Sequence, residues 1–189
     1  WDYSTTNIDI LSKQKVLSNT PLIHVPLGYT NSLDYTDTPF PAPLLSTGFI
    51  GNVSSSSRRK KILEKLKKKI GIYENNIWNN SDPRVGVSTR LKATVIKKID
   101  IGLIVYFYPA VVSCFDLYRV ITLISNKCLV ICERSMDYKM NKTFEPYIIL
   151  CESFEIEKWI DYYTTNHDER KKKIEVAYQW LKTSFNYAL

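Results

Sequence analysis

Several kinds of chemistry are missing from this sequence. There are two histidines, His24 and His167, far apart, and four cysteines, Cys114, Cys128, Cys132 and Cys151, none in a CxxC pair. A metal centre needs such ligands clustered, so no metal is expected. The cysteines sit in apolar runs such as KCLVIC and YIILC. Thiols in such runs are buried and reduced, and no signal peptide is visible, so the expected compartment is the cytoplasm. The sequons at Asn52, Asn79 and Asn141 are then coincidental. No apolar run is long enough to span a bilayer. Neither GxxxxGK[ST] nor GxGxxG occurs, which excludes a P-loop and a dinucleotide fingerprint.

Acid is missing from one stretch in particular. Residues 58–69, RRKKILEKLKKK, hold eight basic side chains and a single acid, Glu64, an excess equal to the chain's net charge of +7. The remainder is neutral. A nucleic-acid binder spreads its basic residues along a footprint with aromatics between them. Here one helix carries the excess, which reads as a solvated face and argues against nucleic acid as the partner.

What the chain does have is enough apolar material for a core: 189 residues, 44% hydrophobic, with thirteen tyrosines and four tryptophans. It opens on WDYSTTNIDIL, without Met, and is expected to be the tail of a longer protein. Helical spacing of Ile8, Leu11 and Val16 predicts a short helix over 4–17. PLIHVPLGY (21–29) reads as extended. TNSLDYTDTPFPAP (30–43), with three prolines, reads as a linker. Residues 1–43 are thus an arm and linker, and 44–189 the domain proper.

In that domain, LLSTGFIGN (44–52) is a buried strand. From Arg58 the stripe Ile62, Leu63, Leu66, Ile70 predicts a helix stopped by Gly71. A strand over 72–78 and a helix beginning after Ser88 follow. Ile101 to Tyr108 is a continuous apolar run ended by Pro109, the mark of a strand covered on both faces. Pro109 suits the start of a helix over 110–126, and KCLVIC then closes a βαβ unit of about 30 residues. EPYIILCES supplies one more strand, and two helices end the chain. The basic cluster 170–173 near the start of the last helix is expected to be solvated. The fold class is α/β: a Rossmann-like open parallel sheet flanked by helices, with two C-terminal helices.

In such a sheet, ligands bind beyond the carboxyl ends of the strands. That rule gathers Gly51 and Asn52, the serine loop ending at Ser57, Phe107 and Tyr108, and Glu133 into one cleft. The loop can offer N–H groups and a helix N-terminus to an anion, and Arg58 and Arg59 add guanidinium forks suited to a diphosphate. The start of the helix over 110–126 would be a second positive end. Glu133 could accept from ribose or sugar hydroxyls. Tyr108 could stack on a base or belong to the core. Asp116 and Arg119, three apart on a helix, fit either a local ion pair or a binding role.

PLIHVPLGY, GFIGNVSSSSRRKKILEKL, YPAVVSCFDLYRVITLISNKCLVICE and the terminal helices together resemble the C-terminal half of GT-B glycosyltransferases, in a group found in bacteria and large DNA viruses. Pro26, Gly28 and Tyr29 match the group's PLGY segment. Gly48, Gly51, Arg58 and Arg59 match its strand ending in glycine before an Arg-Arg helix start. Asp116 and Arg119 match its acid three residues before an arginine, with aspartate for glutamate. Glu133 matches its strand closed by Ser-Glu, with Cys132 for serine. The sequence lacks an Asn-Ile-His stretch before the aromatic pair and a glycine before Lys127.

The resemblance implies a domain that binds a nucleotide-diphosphate sugar as donor, without metal or other cofactor. Gly51, Asn52, Ser57, Arg58, Arg59, Tyr108, Asp116, Arg119 and Glu133 would form its donor site. An acceptor-binding half would lie upstream of Trp1, and no catalytic residue can be named in this half. The location would be the host cytoplasm for a viral member, and richness in Asn, Lys and Ile is compatible with an AT-rich viral genome. The alternatives are a non-catalytic Rossmann-like interaction module and, less favoured, a basic nucleic-acid-binding domain.

Overall fold

The structure, a computed structural model, describes residues 5–14, 21–23, 27–34, 47–51, 53, 57–73, 95–109 and 112–185. Five strands form one wholly parallel sheet: β1 (Thr47–Ile50), β2 (Gly71–Tyr73), β3 (Ile101–Ile104), β4 (Leu129–Glu133) and β5 (Ile149–Cys151). Their order is β2-β1-β3-β4-β5. The helices are α1 (Thr5–Ser12), α2 (Ser57–Leu66), α3 (Leu117–Ser125), α4 (Tyr138–Phe144), α5 (Ile156–Thr165) and α6 (His167–Ser184). This is the expected Rossmann-like sheet, and two helices do end it. The expected helix after Ser88 lies mostly outside the described residues.

The apolar run of β3 has the predicted cause. Ile101, Leu103 and Val105 pack on one face with Leu63 and Leu66 of α2 and Ile156 and Ile160 of α5. Ile104 and Tyr106 pack on the other with α3 and α6. Strand residues alternate between faces, so a strand covered on both sides must be apolar at every position. Gly102 lets α3 lie close to the sheet: a Cβ there would sit 2.6 Å from both methyl carbons of Leu123.

Several boundaries differ from expectation. The helix expected over 110–126 begins only at Leu117, because Asp116 caps it by accepting from the Arg119 amide at 3.1 Å. Pro109 instead begins a tight turn of its own, in which the Val112 amide donates to the Pro109 carbonyl at 3.0 Å. α2 ends at Leu66, and Gly71 opens β2 rather than stopping a helix. α4, absent from the expected order, is started by Asp137, whose carboxylate accepts from the Met140 amide. α3 ends in a Schellman turn: the amides of Lys127 and Cys128 bond the carbonyls of Ile124 and Leu123. Lys127 holds φ 55 there, in the left-handed region that this turn requires. Arg170 is buried, not solvated: Nη1 donates to the Tyr163 carbonyl at 3.0 Å and Nη2 to Asp100 at 3.4 Å.

Within the expected arm and linker, residues 27–34 pack on the domain. Tyr29 is buried, its amide donates to the Phe185 carbonyl, and the hydroxyls of Tyr29 and Tyr178 both donate to Asp34.

Candidate functional site

In the order 2-1-3-4-5, connections leave β1 and β3 in opposite directions, so a crevice opens at their carboxyl ends. Three arginines and two carboxylates meet there. Arg58, on the first turn of α2, reaches past the end of β3 to Glu133 at the end of β4. Its Nη2 lies 2.5 Å from Oε1 and its Nη1 3.2 Å from Oε2, and Nη1 also donates to the Tyr106 carbonyl at 3.1 Å. The Tyr106 amide donates to Glu133 Oε2 at 2.6 Å. The Glu133 side chain is 2% exposed, that of Arg58 28%. The pair thus ties the first turn of α2 to the ends of the neighbouring strands β3 and β4.

A second pair stands on the other side of the crevice. Arg119 donates from Nε to Asp116 Oδ2 at 2.7 Å, with Nη2 2.5 Å from the same oxygen. Its Nη1 lies 3.4 Å from the Ile50 carbonyl, at the end of β1. The local ion pair open to Asp116 and Arg119 is therefore formed, and one guanidinium also reaches the strand edge. Gly51 makes this approach possible. A Cβ there would meet the Phe49 ring at 3.0 Å and Arg119 Nη1 at 3.3 Å.

Arg59 lies between the pairs and is buried. Its guanidinium carbon is 5.5 Å from the ring centroids of both Phe49 and Phe107, within cation–π range. Burial, followed by the charge of Arg119, draws its pKa down to about 10, against the opposing pull of Asp116 and Glu133. A cation held in such surroundings is stabilised by any anion that enters beside it.

Asn52 lies outside the described residues, and so do residues 54–56 and the side chain of Ser57. Tyr108 is 60% exposed, with its ring edge-on to Phe107 at 4.8 Å, so it is rim rather than core. The second positive helix end expected near residue 110 is instead the start of α3, already capped by the Asp116 carboxylate. Beside the cluster, a groove of about 620 Å³ opens where β4 and β5 end, lined among others by Arg134, Met136, Tyr138 and Glu152. Among the described residues, no three His, Cys, Asp or Glu side chains come together as a metal site would require. No helix among them is long and apolar enough to cross a membrane.

No protein-family model and no curated protein matches the sequence. Among solved structures, the chain is similar to the C-terminal domain of LpcC, a glycosyl transferase group 1 family protein from Francisella tularensis. The two share 13% identity over 78% of this chain and 89% of that one, with a TM-score of 0.51. The likeness is one of fold. It is to a glycosyltransferase C-terminal domain, which agrees at that level with the resemblance seen in the sequence.

Sequence reasoning listed all five charged residues and left the Asp116–Arg119 pair open, but it did not find the Arg58–Glu133 pair. It also missed the Phe49–Arg59–Phe107 stack and the role of the Tyr106 backbone. One signal was available. The inner stripe of α2, Leu63, Leu66 and Ile70, extended back one turn, falls on residue 59, so Arg59 had to face inward.

Proposed function

We propose that this chain is the donor-binding domain of a glycosyltransferase, holding the diphosphate of a nucleotide sugar in the crevice between β1 and β3. The observation that carries this reading is the convergence of Arg58, Arg59 and Arg119 at the switch point, three guanidinium groups against two carboxylates. The surplus positive charge sits in a half-buried site, where it attracts an anion more strongly than a surface charge would. The nucleoside diphosphate is also the leaving group of sugar transfer from such a donor, and charge grows on its terminal phosphate. Arginines fixed before the reaction would stabilise the charge that grows on it, with no need for a metal. Tyr108, Gly51, Asn52 and Ser57 would line the same crevice, and the adjoining groove leaves room for the sugar. In this reading 44–189 is the donor domain, 1–43 leads from an upstream acceptor-binding half, and the acceptor is undefined.

The second reading, a non-catalytic interaction module on the same fold, has one observation in its favour. Both carboxylates of the cluster are already engaged by arginines, as in a purely structural network. Thermal denaturation with a panel of nucleoside diphosphates and nucleotide sugars separates the two. A donor site predicts a rise in Tm with specific members, lost when Arg58 and Arg59 are both replaced by alanine. No shift at millimolar ligand would sink the donor reading and leave the second.

A further inference from the structure

We propose that Glu133 is a positioning residue that aims Arg58 at the anion, rather than an acceptor for ribose or sugar hydroxyls; the inference rests on the anion-site reading above. A carboxylate has about four acceptor sites. Three of those of Glu133 are filled, two by Arg58 and one by the Tyr106 amide, and the side chain is 2% exposed. A ligand hydroxyl would have to displace one of these partners.

What Glu133 leaves open lies on Arg58. A guanidinium has five N–H donors in a fixed plane. Glu133 and the Tyr106 carbonyl together engage both nitrogens at the tip, Nη1 and Nη2. The edge formed by Nε–H and the second Nη2–H makes no hydrogen bond among the described residues. These two parallel donors have the geometry of a bidentate phosphate contact. The partner pair is arranged otherwise: Asp116 takes the Nε and Nη2 edge of Arg119 itself. The two arginines are therefore not equivalent. Arg58 presents a fork to the crevice, and Arg119 has its corresponding fork filled.

Side-chain NMR of arginine in the ¹⁵N-labelled chain, combined with titration of inorganic pyrophosphate, tests this. The variants are Glu133→Gln, which keeps an oxygen for the Tyr106 amide, Arg58→Lys, and the two combined. Slow rotation of the Arg58 guanidinium, with separate Nη signals, is expected in the parent and lost in Glu133→Gln. Pyrophosphate affinity should fall roughly tenfold in Glu133→Gln, the scale of one charge-assisted hydrogen bond. Adding Arg58→Lys to Glu133→Gln should cost less than Arg58→Lys costs alone. Parent-like affinity in Glu133→Gln, or full additivity of the two changes, would overturn the positioning role while the anion site stood. An ordered Arg58 in a parent that binds no pyrophosphate would overturn the anion site itself.

Discussion

The first turn of α2 and the turns that follow carry the same kind of side chain and put it to opposite uses. Arg58 and Arg59 turn toward the sheet, one bound to a buried glutamate and the other stacked between two phenylalanines. Lys60, Lys61, Lys65 and Lys68 are exposed, and Lys69 is spent on Glu157 and Asp161 of α5. Composition sees one basic tract. Helical phase divides it: the inward positions continue the apolar stripe of α2, and the outward ones face solvent, two of them toward exposed carboxylates. A run of positive charge thus says little about function until each member is assigned to a face.

The sharpest way to break this contrast is to remove the partner at the inward end. Glu133→Ala leaves Arg58 and the Tyr106 amide without their acceptor and should cost about 3 kcal/mol of stability. Replacing Lys60, Lys61, Lys65 and Lys68 together by glutamine should change stability by less than about 0.5 kcal/mol. Urea denaturation of both variants measures the difference directly.

The same core is dry, and pH reads this. Burial pushes the thiols of Cys128 and Cys151 up to about 12. In the unfolded chain they ionise near 9.0, so it loses protons first, and the stability present below that pH is lost as pH rises toward 12. By pH 10 each thiol should cost about 1.4 kcal/mol. Denaturation under reducing conditions at pH 8 and pH 10, with and without Cys128→Ala and Cys151→Ala, isolates their share. A smaller loss is expected from Gly51→Ala. Its methyl would press on Phe49 and Arg119, costing about 1–2 kcal/mol and loosening the Arg119 contact with Ile50.

The smallest expected effect concerns a lysine outside α2. Lys127→Gly relieves the positive φ at the end of α3 but gives up contacts with Glu175 and the Tyr178 ring. A net gain of roughly 0.5 kcal/mol is expected, read as a small rise in Tm.

Much of the fold was legible because its signals are local or periodic. The uninterrupted run 101–108 could only belong to a doubly covered strand, and the stripes of α2, α5 and α6 fixed which faces turn inward. Helix starts were less legible. Pro109 and Asp116 both make acceptable beginnings for α3, and the helix takes the second, where the Asp116 carboxylate caps the Arg119 amide three residues on. For the candidate site, the sheet rule pointed to the edge where Arg58, Arg59 and Glu133 lie, and the family resemblance added Asp116 and Arg119. The pairing of Arg58 with Glu133 was not legible, since the two are 75 residues apart in sequence and nothing local links them. Arg170 was missed for the same reason: its partners are a carbonyl at the end of α5 and Asp100 beside β3.

The central claim is that the inward arginines, not the outward lysines, hold a nucleoside diphosphate. Calorimetric titration of nucleoside diphosphates into the parent, the Arg58→Ala/Arg59→Ala variant and the Lys60/Lys61/Lys65/Lys68→Gln variant tests it most directly. The account predicts saturable binding to the parent and the glutamine variant and none to the alanine variant. Binding that survives loss of the arginines but disappears with the lysines would contradict it.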